Sequence, residues 1–266
     1  MKRLLLAVCL LFSALIPLGI ISVAMISVAV SQEHYTIVAE NDWYPYSALR
    51  DGQPKGLAVD LVRAAFAAAG AEVDLVSKPY ARCLEEVEAG WQLGCFDTTR
   101  EPANVARFRF HQVPLFSANI VIVAPADSNA HDLKPLDLKG QHVAVTNGYT
   151  YGEPFQSDAA VHKDVVKSDL AILRVVAMKR VAYGVIYDNV MAHLLAEHSG
   201  ELAGKVKIVG LLFQPDLYVS FSKKRPEATA AIAALDRGLE IIRQNGTYHD
   251  IEQQWAGRFS VAGAPQ

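Results

Sequence analysis

The chain has 266 residues, 52% of them hydrophobic and 20% charged, and a formal net charge of −3. That is too apolar for a disordered polymer and suits one large globular unit or two modest lobes. A mild acidic excess without a clustered basic face excludes the electrostatic footprint of a nucleic-acid binder.

Lys2 and Arg3 precede Leu4 to Val30, a run with no charged residue and only Ser13, Ser22 and Ser27 as polar breaks. A basic start and an apolar run describe an export signal, and Ser27-Val28-Ala29 offers the small residues a signal peptidase needs. The run also exceeds the roughly 20 residues that span a bilayer, although Pro17 and Gly19 interrupt a continuous helix. Residues 1–30 are therefore either a cleaved signal or a retained membrane anchor. Both readings export the folded part.

From Tyr35 onward, short β-branched runs alternate with longer helical patterns. Tyr35–Ala39 reads as a buried strand, Asp60–Gly70 as an Ala/Leu-rich helix with a glycine stop, and Val73–Val76 as a strand. Ala81–Gly90 reads as a helix, and Leu93–Phe96 and Ile120–Ala124 as strands. The turn-rich Pro125–Pro135 marks a boundary. Beyond it come strand Val143–Val145, helix Val166–Lys179, strand Tyr183–Tyr187 and helix Val190–His198. Leu217–Phe221 is extended, and Pro226–Gln244 and Tyr248–Trp255 are helical. The pattern predicts an α/β protein of two similar halves with a cleft between them. In such sheets ligands bind at the carboxyl ends of the strands.

Several chemistries are missing from the sequence. It has no Gly-x-Gly-x-x-Gly after a strand, no Walker loop and no Gly-x-Ser-x-Gly elbow. The eight histidines are scattered, with His193 and His198 five apart, off a common helical face. Neither a metal nor a cofactor is expected. Cys83 in the first turn of a helix and Cys95 late in the next strand lie at one edge of a β-α-β unit. That is a candidate disulfide in an oxidising compartment, with buried free thiols as the alternative.

Four ordered blocks carry a resemblance. They are Asn41-Asp42-Trp43-Tyr44-Pro45-Tyr46-Ser47 with Lys55–Leu61, then Thr99–Phe110, then Leu138–Gly148, and finally Gly246-Thr247-Tyr248 through Ile251 to Trp255. Together they resemble the periplasmic solute-binding proteins of the polar amino-acid type, family 3, from about Tyr35 to Gly257. Lys78–Leu84 further resembles a branch of that family poorly defined by ligand. The resemblance implies the two-lobed periplasmic binding protein type 2 fold, each lobe a mostly parallel sheet flanked by helices. Lobe 1 is expected at 33–123 plus 221–260 and lobe 2 at 126–218, with hinges near Ala124-Pro125 and Val219-Ser220. It also implies a periplasmic, monomeric binder of a small polar solute, such as an amino acid or related amine or acid. The implied partner is an inner-membrane permease of the ABC type, or a sensor if residues 4–30 tether the protein. A dehydratase on a cyclic acid, using Asp97, Glu153 or Asp188 as general acid, is the enzymatic alternative on this fold.

The resemblance also nominates ligand contacts. Trp43 falls where relatives stack an aromatic on the ligand, and its indole face suits a cation; Tyr46 follows it. Asp188 matches a carboxylate that pairs with a ligand amine, although it could instead cap the helix that follows. Thr150 matches a threonine that holds a ligand carboxylate, with Tyr149 and Tyr151 on either side. Tyr80 and Arg82 open a helix at the cleft edge, where the guanidinium could grip an anion. Asp97, Thr98, Thr99 and Arg100 lie along the loop that receives the ligand carboxylate in relatives. The family's clamp arginine, six residues before a phenylalanine, is replaced here by Asn104 before Phe110. Asn supplies no charge, and Asp97 would repel a carboxylate. Two expectations follow: Arg100 or Arg82 takes over the anion, or the bound end of the ligand is neutral or cationic.

Overall fold

The protein is described by a computed structural model covering residues 33–259; the expected signal or anchor at 1–30 lies outside the described residues. The described chain starts with β1 (His34–Glu40) and a ribbon of β2 (Asp42–Trp43), β3 (Ser47–Arg50) and β4 (Gln53–Lys55). Next come α1 (Leu57–Ala68), β5 (Glu72–Lys78), α2 (Tyr80–Ala89), β6 (Gly94–Thr99), α3 (Pro102–Arg107), β7 (Phe108–Phe110) and β8 (Phe116–Ser117). The second half holds β9 (Ile120–Pro125), β10 (His142–Thr146), β11 (His162–Val166), α4 (Asp169–Ala177) and β12 (Tyr183–Tyr187). It ends with α5 (Asp188–Glu197), α6 (Ser199–Leu202) and β13 (Val206–Phe213). β14 (Asp216–Ser222), α7 (Ala228–Gln244) and α8 (Thr247–Phe259) close the chain.

The first sheet has the order β5-β1-β6-β14-β7, with β8 also on β14, and the second has the order β11-β10-β12-β9-β13. The expected parallel pairing holds for β5-β1-β6 and for β11-β10-β12. β14 and β9 run antiparallel to their neighbours, so both sheets are mixed. The reason is connectivity: a parallel neighbour needs a crossover helix, whereas β9 and β14 arrive directly from the other sheet. Because β9 pairs in the second sheet and β14 in the first, the chain crosses between sheets at residues 118–119 and 214–215. The crossings expected at Ala124-Pro125 and Val219-Ser220 fall within strands instead. The turn residues after Ala124 mark the far end of β9, not its entry.

Period-two alternation decides which face each side chain joins. On β1, Ile37 and Ala39 pack with Leu61, Ala65 and Phe66 of α1, while Val38 packs with Cys83, Leu84 and Val87 of α2 on the opposite face. On β9, Val121 and Val123 join Ile172, Leu173 and Val176 of α4. The helix expected from Val166 starts at Asp169, because 162–166 forms β11 and the Ser168 hydroxyl accepts from the Ala171 N–H.

Two close contacts hold the C-terminal helices on α1. Trp255 Nε1 donates to Asp60 Oδ2 at 2.8 Å, tying α8 to α1. α7 crosses α1 so closely that a Cβ on Gly238 would lie 1.8 Å from the Ala65 carbonyl oxygen, which only glycine permits. A disulfide joins Cys83 on α2 to Cys95 on β6, with Cα atoms 5.9 Å apart.

Candidate functional site

Strand direction assembles the site. The parallel strands of both sheets deliver their carboxyl ends to one place, and the α2 N-terminus joins them there. Glu40 ends β1, Asp97 and Thr99 lie at the end of β6, and Tyr187 ends β12. With Trp43, Tyr80, Tyr149 and Thr150 they line a cavity of about 10 Å³, room for roughly one water. Glu40, Tyr80 and Tyr149 also border a wider cleft of about 510 Å³, flanked by Asp42, Asn147, Lys167 and Asp169.

Aromatic rings form a continuous wall. Trp43 meets Tyr187 edge-on at 4.8 Å, Tyr187 meets Tyr149 at 6.5 Å, and Tyr149 meets Tyr80 edge-on at 5.2 Å between centroids. Hydrogen bonds also cross from sheet to sheet. The Tyr149 hydroxyl donates to Glu40 Oε1 at 2.6 Å, the Thr99 and Thr150 hydroxyls lie 2.6 Å apart, and Asn189 Nδ2 donates to the Tyr46 hydroxyl at 2.9 Å. At the rim, Arg50 reaches Glu197 at 3.3 Å and His193 at 2.8 Å.

The electrostatics are unusual. Asp97 is 6% exposed, has φ 69°, and neither carboxylate oxygen has a hydrogen-bond partner among the described residues. Burial holds its carboxyl well above the usual range. Glu40, 5% exposed, is also pushed up by burial; the Tyr149 hydrogen bond opposes this and the neighbouring Asp97 adds to it. Burial raises Asp169 to about 7 against a 2.5 Å hydrogen bond from the Thr146 hydroxyl. Among the described residues, no lysine or arginine lines the central cavity, and no group of three or more His, Cys, Asp and Glu is placed to hold a metal ion.

Of the residues singled out from the sequence, Trp43, Tyr80, Asp97, Thr99 and Thr150 line this cavity. Tyr46 lies behind Trp43, stacked on it at 4.4 Å. Thr98 points away and bonds to Ser220, as strand alternation requires. Asn104 is buried beside Thr99, its amide nitrogen donating to the Thr99 carbonyl at 3.0 Å, with the Thr99 and Thr150 hydroxyls at 3.3 and 3.2 Å. Asp188 is engaged at the sheet crossing, accepting from Asn119 Nδ2 at 2.9 Å and from its own helix at Asn189 N.

Neither arginine considered for the anion enters the cavity. Arg82 is 70% exposed and donates to Glu86 one helical turn on, at 2.8 Å. Arg100 lies on the outside over the ring of Tyr218, 5.9 Å from its centroid. The i,i+4 spacing of Arg82 and Glu86 was a readable sign of that outward pairing. Sequence reasoning missed Glu40 and Tyr187, although both end strands whose carboxyl edge was expected to face the cleft. Asp169 falls in the first turn of the helix expected over Val166–Lys179 and was not singled out.

The model of the bacterial extracellular solute-binding proteins, family 3, matches residues 35–258. No curated protein matches the chain. Among solved structures, a histidine kinase sensor domain with similarity to periplasmic binding proteins aligns with TM-score 0.72 at 18% identity, covering 85% of this chain and 97% of that one. An ancestral arginine-binding protein bound to arginine aligns with TM-score 0.70 at 21% identity, covering 84% and 98%. The arginine-, lysine-, histidine-binding protein ArtJ from the thermophilic bacterium Geobacillus stearothermophilus aligns with TM-score 0.69 at 18% identity, covering 85% and 96%. At these identities the likeness establishes the two-lobed fold and leaves the bound solute open.

Proposed function

The chain belongs to the bacterial extracellular solute-binding proteins of family 3, and from that premise we propose that it captures a small polar solute between its two lobes outside the cytoplasm. The observation that carries this reading is the cavity at the strand ends, lined from both sheets and bridged by Tyr149–Glu40 and Thr99–Thr150. Contacts of that kind are made better when the lobes are together, which is what a ligand needs in order to drive closure. The crossings at 118–119 and 214–215 serve as hinges, and Asp188 braces the first of them through Asn119.

The closed monomer then presents itself to an inner-membrane permease, or to a signalling partner if the N-terminal segment stays in the membrane. Among the described residues no helix is long and apolar enough to cross a membrane. A thermal-shift screen over amino acids, amines, opines and small carboxylates tests the reading, since a tight ligand raises the melting temperature by mass action. We expect at least one compound to do so. No shift from any compound, together with turnover of a cyclic acid, would replace binding by the dehydratase reading, with buried Asp97 as its general acid.

A further inference from the structure

We propose that the cleft selects a small organic cation that carries no carboxylate, an amine or quaternary ammonium, with Asp97 as its counter-ion and Glu40 as a second one. This rests on the binding-protein reading and concerns the class of solute at that same site.

Asp97 provides the first reason. Its side chain is buried, borders the cavity and leaves both oxygens without a partner among the described residues. A carboxylate taken out of water is costly unless a cation or a set of donors meets it. The protein supplies neither, and the closed cavity has room for about one water, so a cation partner enters from the cavity side as the lobes part. Glu40 adds a second acceptor there, with one oxygen engaged by Tyr149.

The wall is the second reason. Trp43, Tyr80, Tyr149 and Tyr187 surround the space as a chain of ring contacts. Aromatic faces attract ammonium and guanidinium groups through their quadrupoles, most strongly when water is excluded.

The third reason is the fate of the charged and amide side chains that could hold an anion, which leaves only neutral donors such as the buried Trp43 indole N–H at the cavity among the described residues. Asn104 has its amide nitrogen directed to Thr99 and Thr150. Arg82 and Arg100 lie outside the cavity, and Lys167 borders only the outer cleft. A ligand carboxylate in the central cavity would therefore face two protein carboxylates with no cation between them.

Matched pairs that differ by a carboxylate provide the test: agmatine against arginine, cadaverine against lysine, and choline against glycine betaine. Each is titrated into the wild-type protein and into Asp97→Asn. In at least one pair the carboxylate-free member should bind the wild type with at least about tenfold higher affinity, a gap read directly from dissociation constants. Asp97→Asn should weaken that binding by about 30-fold or more, as expected for loss of one partner of a buried charge pair. The acid binding as well as or better than its amine in every pair that binds would overturn the inference and leave the binding-protein reading intact. Unchanged amine affinity in folded Asp97→Asn would also overturn it. If neither member of any pair nor any compound of the broad screen binds, both the inference and the binding-protein reading fail. The wild-type comparison decides the matter by itself if the variant does not fold.

Discussion

Two buried carboxylates of the first lobe, Glu86 on α2 and Asp97 on β6, are treated in opposite ways. They are 5% and 6% exposed, so water reaches neither freely. Glu86 is met by Lys78 and by Arg82, and these hydrogen bonds, Lys78 first, pull its carboxyl down to about 2. Asp97 is met by nothing among the described residues, and burial pushes its carboxyl well up. Other carboxylates remote from the cleft are met as Glu86 is: Asp60 accepts from Trp255, and Asp236 from the backbone N–H groups of Gln112 and Val113. This fold can pair its acids, and the buried carboxylate left with neither oxygen paired among the described residues borders the cavity.

That contrast can be broken experimentally, first with substitutions that keep shape and remove charge. Asp97→Asn should stabilise the ligand-free protein by about 2 kcal/mol at neutral pH, because a neutral amide avoids the cost of burying a carboxylate or keeping it protonated. Glu86→Gln should have the opposite sign and cost about 1–2 kcal/mol, because it strips two charged donors of their acceptor. Urea denaturation of both variants at neutral pH reads the two signs, and destabilisation by Asp97→Asn would remove the contrast.

The pH dependence sharpens the same comparison. Asp97, Glu40 and Asp169 hold protons more tightly folded than unfolded. The stability they allow is complete below about pH 4 and declines as pH rises through their raised values, near 7 for Asp169. Glu86 works in the other direction: its contribution is present above about pH 4 and is lost as pH falls towards 2. Melting temperature should therefore decline as pH rises above about 4 in the wild type and decline less in Asp97→Asn. The smallest effect is expected at the rim. Arg50→Ala removes a half-exposed pair with Glu197 and should cost under about 1 kcal/mol, measurable as a small shift in the denaturation midpoint.

The sequence carried much of this architecture because its periodicities are strong where both faces of a strand are buried. Tyr35–Ala39, Ile120–Ala124 and Tyr183–Tyr187 were legible for that reason. β13 was not, since register shifts between Ile208 and Gly210 and between Leu211 and Phe213 spoil its alternation. β11 was lost because its residues are half-exposed and run straight into a good helix pattern. The sheet crossings were misplaced because turn chemistry marks where a strand ends and says nothing of which sheet the strand has joined. At the site, the family resemblance pointed to Trp43, Asp97, Thr99 and Thr150 as candidates, and the strand edge to Tyr80. Side-chain direction is a tertiary property, so the outward turn of Arg100 over Tyr218 could not be read from spacing.

The most direct measurement is calorimetric titration of agmatine and of arginine into one preparation of the wild-type protein, as pH is raised from about 5, just above the ordinary carboxylate range, to about 8. With an unpaired Asp97 as counter-ion, agmatine binds more tightly than arginine, and its affinity rises with pH as Asp97 and Glu40 give up their protons. Arginine binding as well as agmatine, or an agmatine affinity that does not rise with pH, would contradict the account.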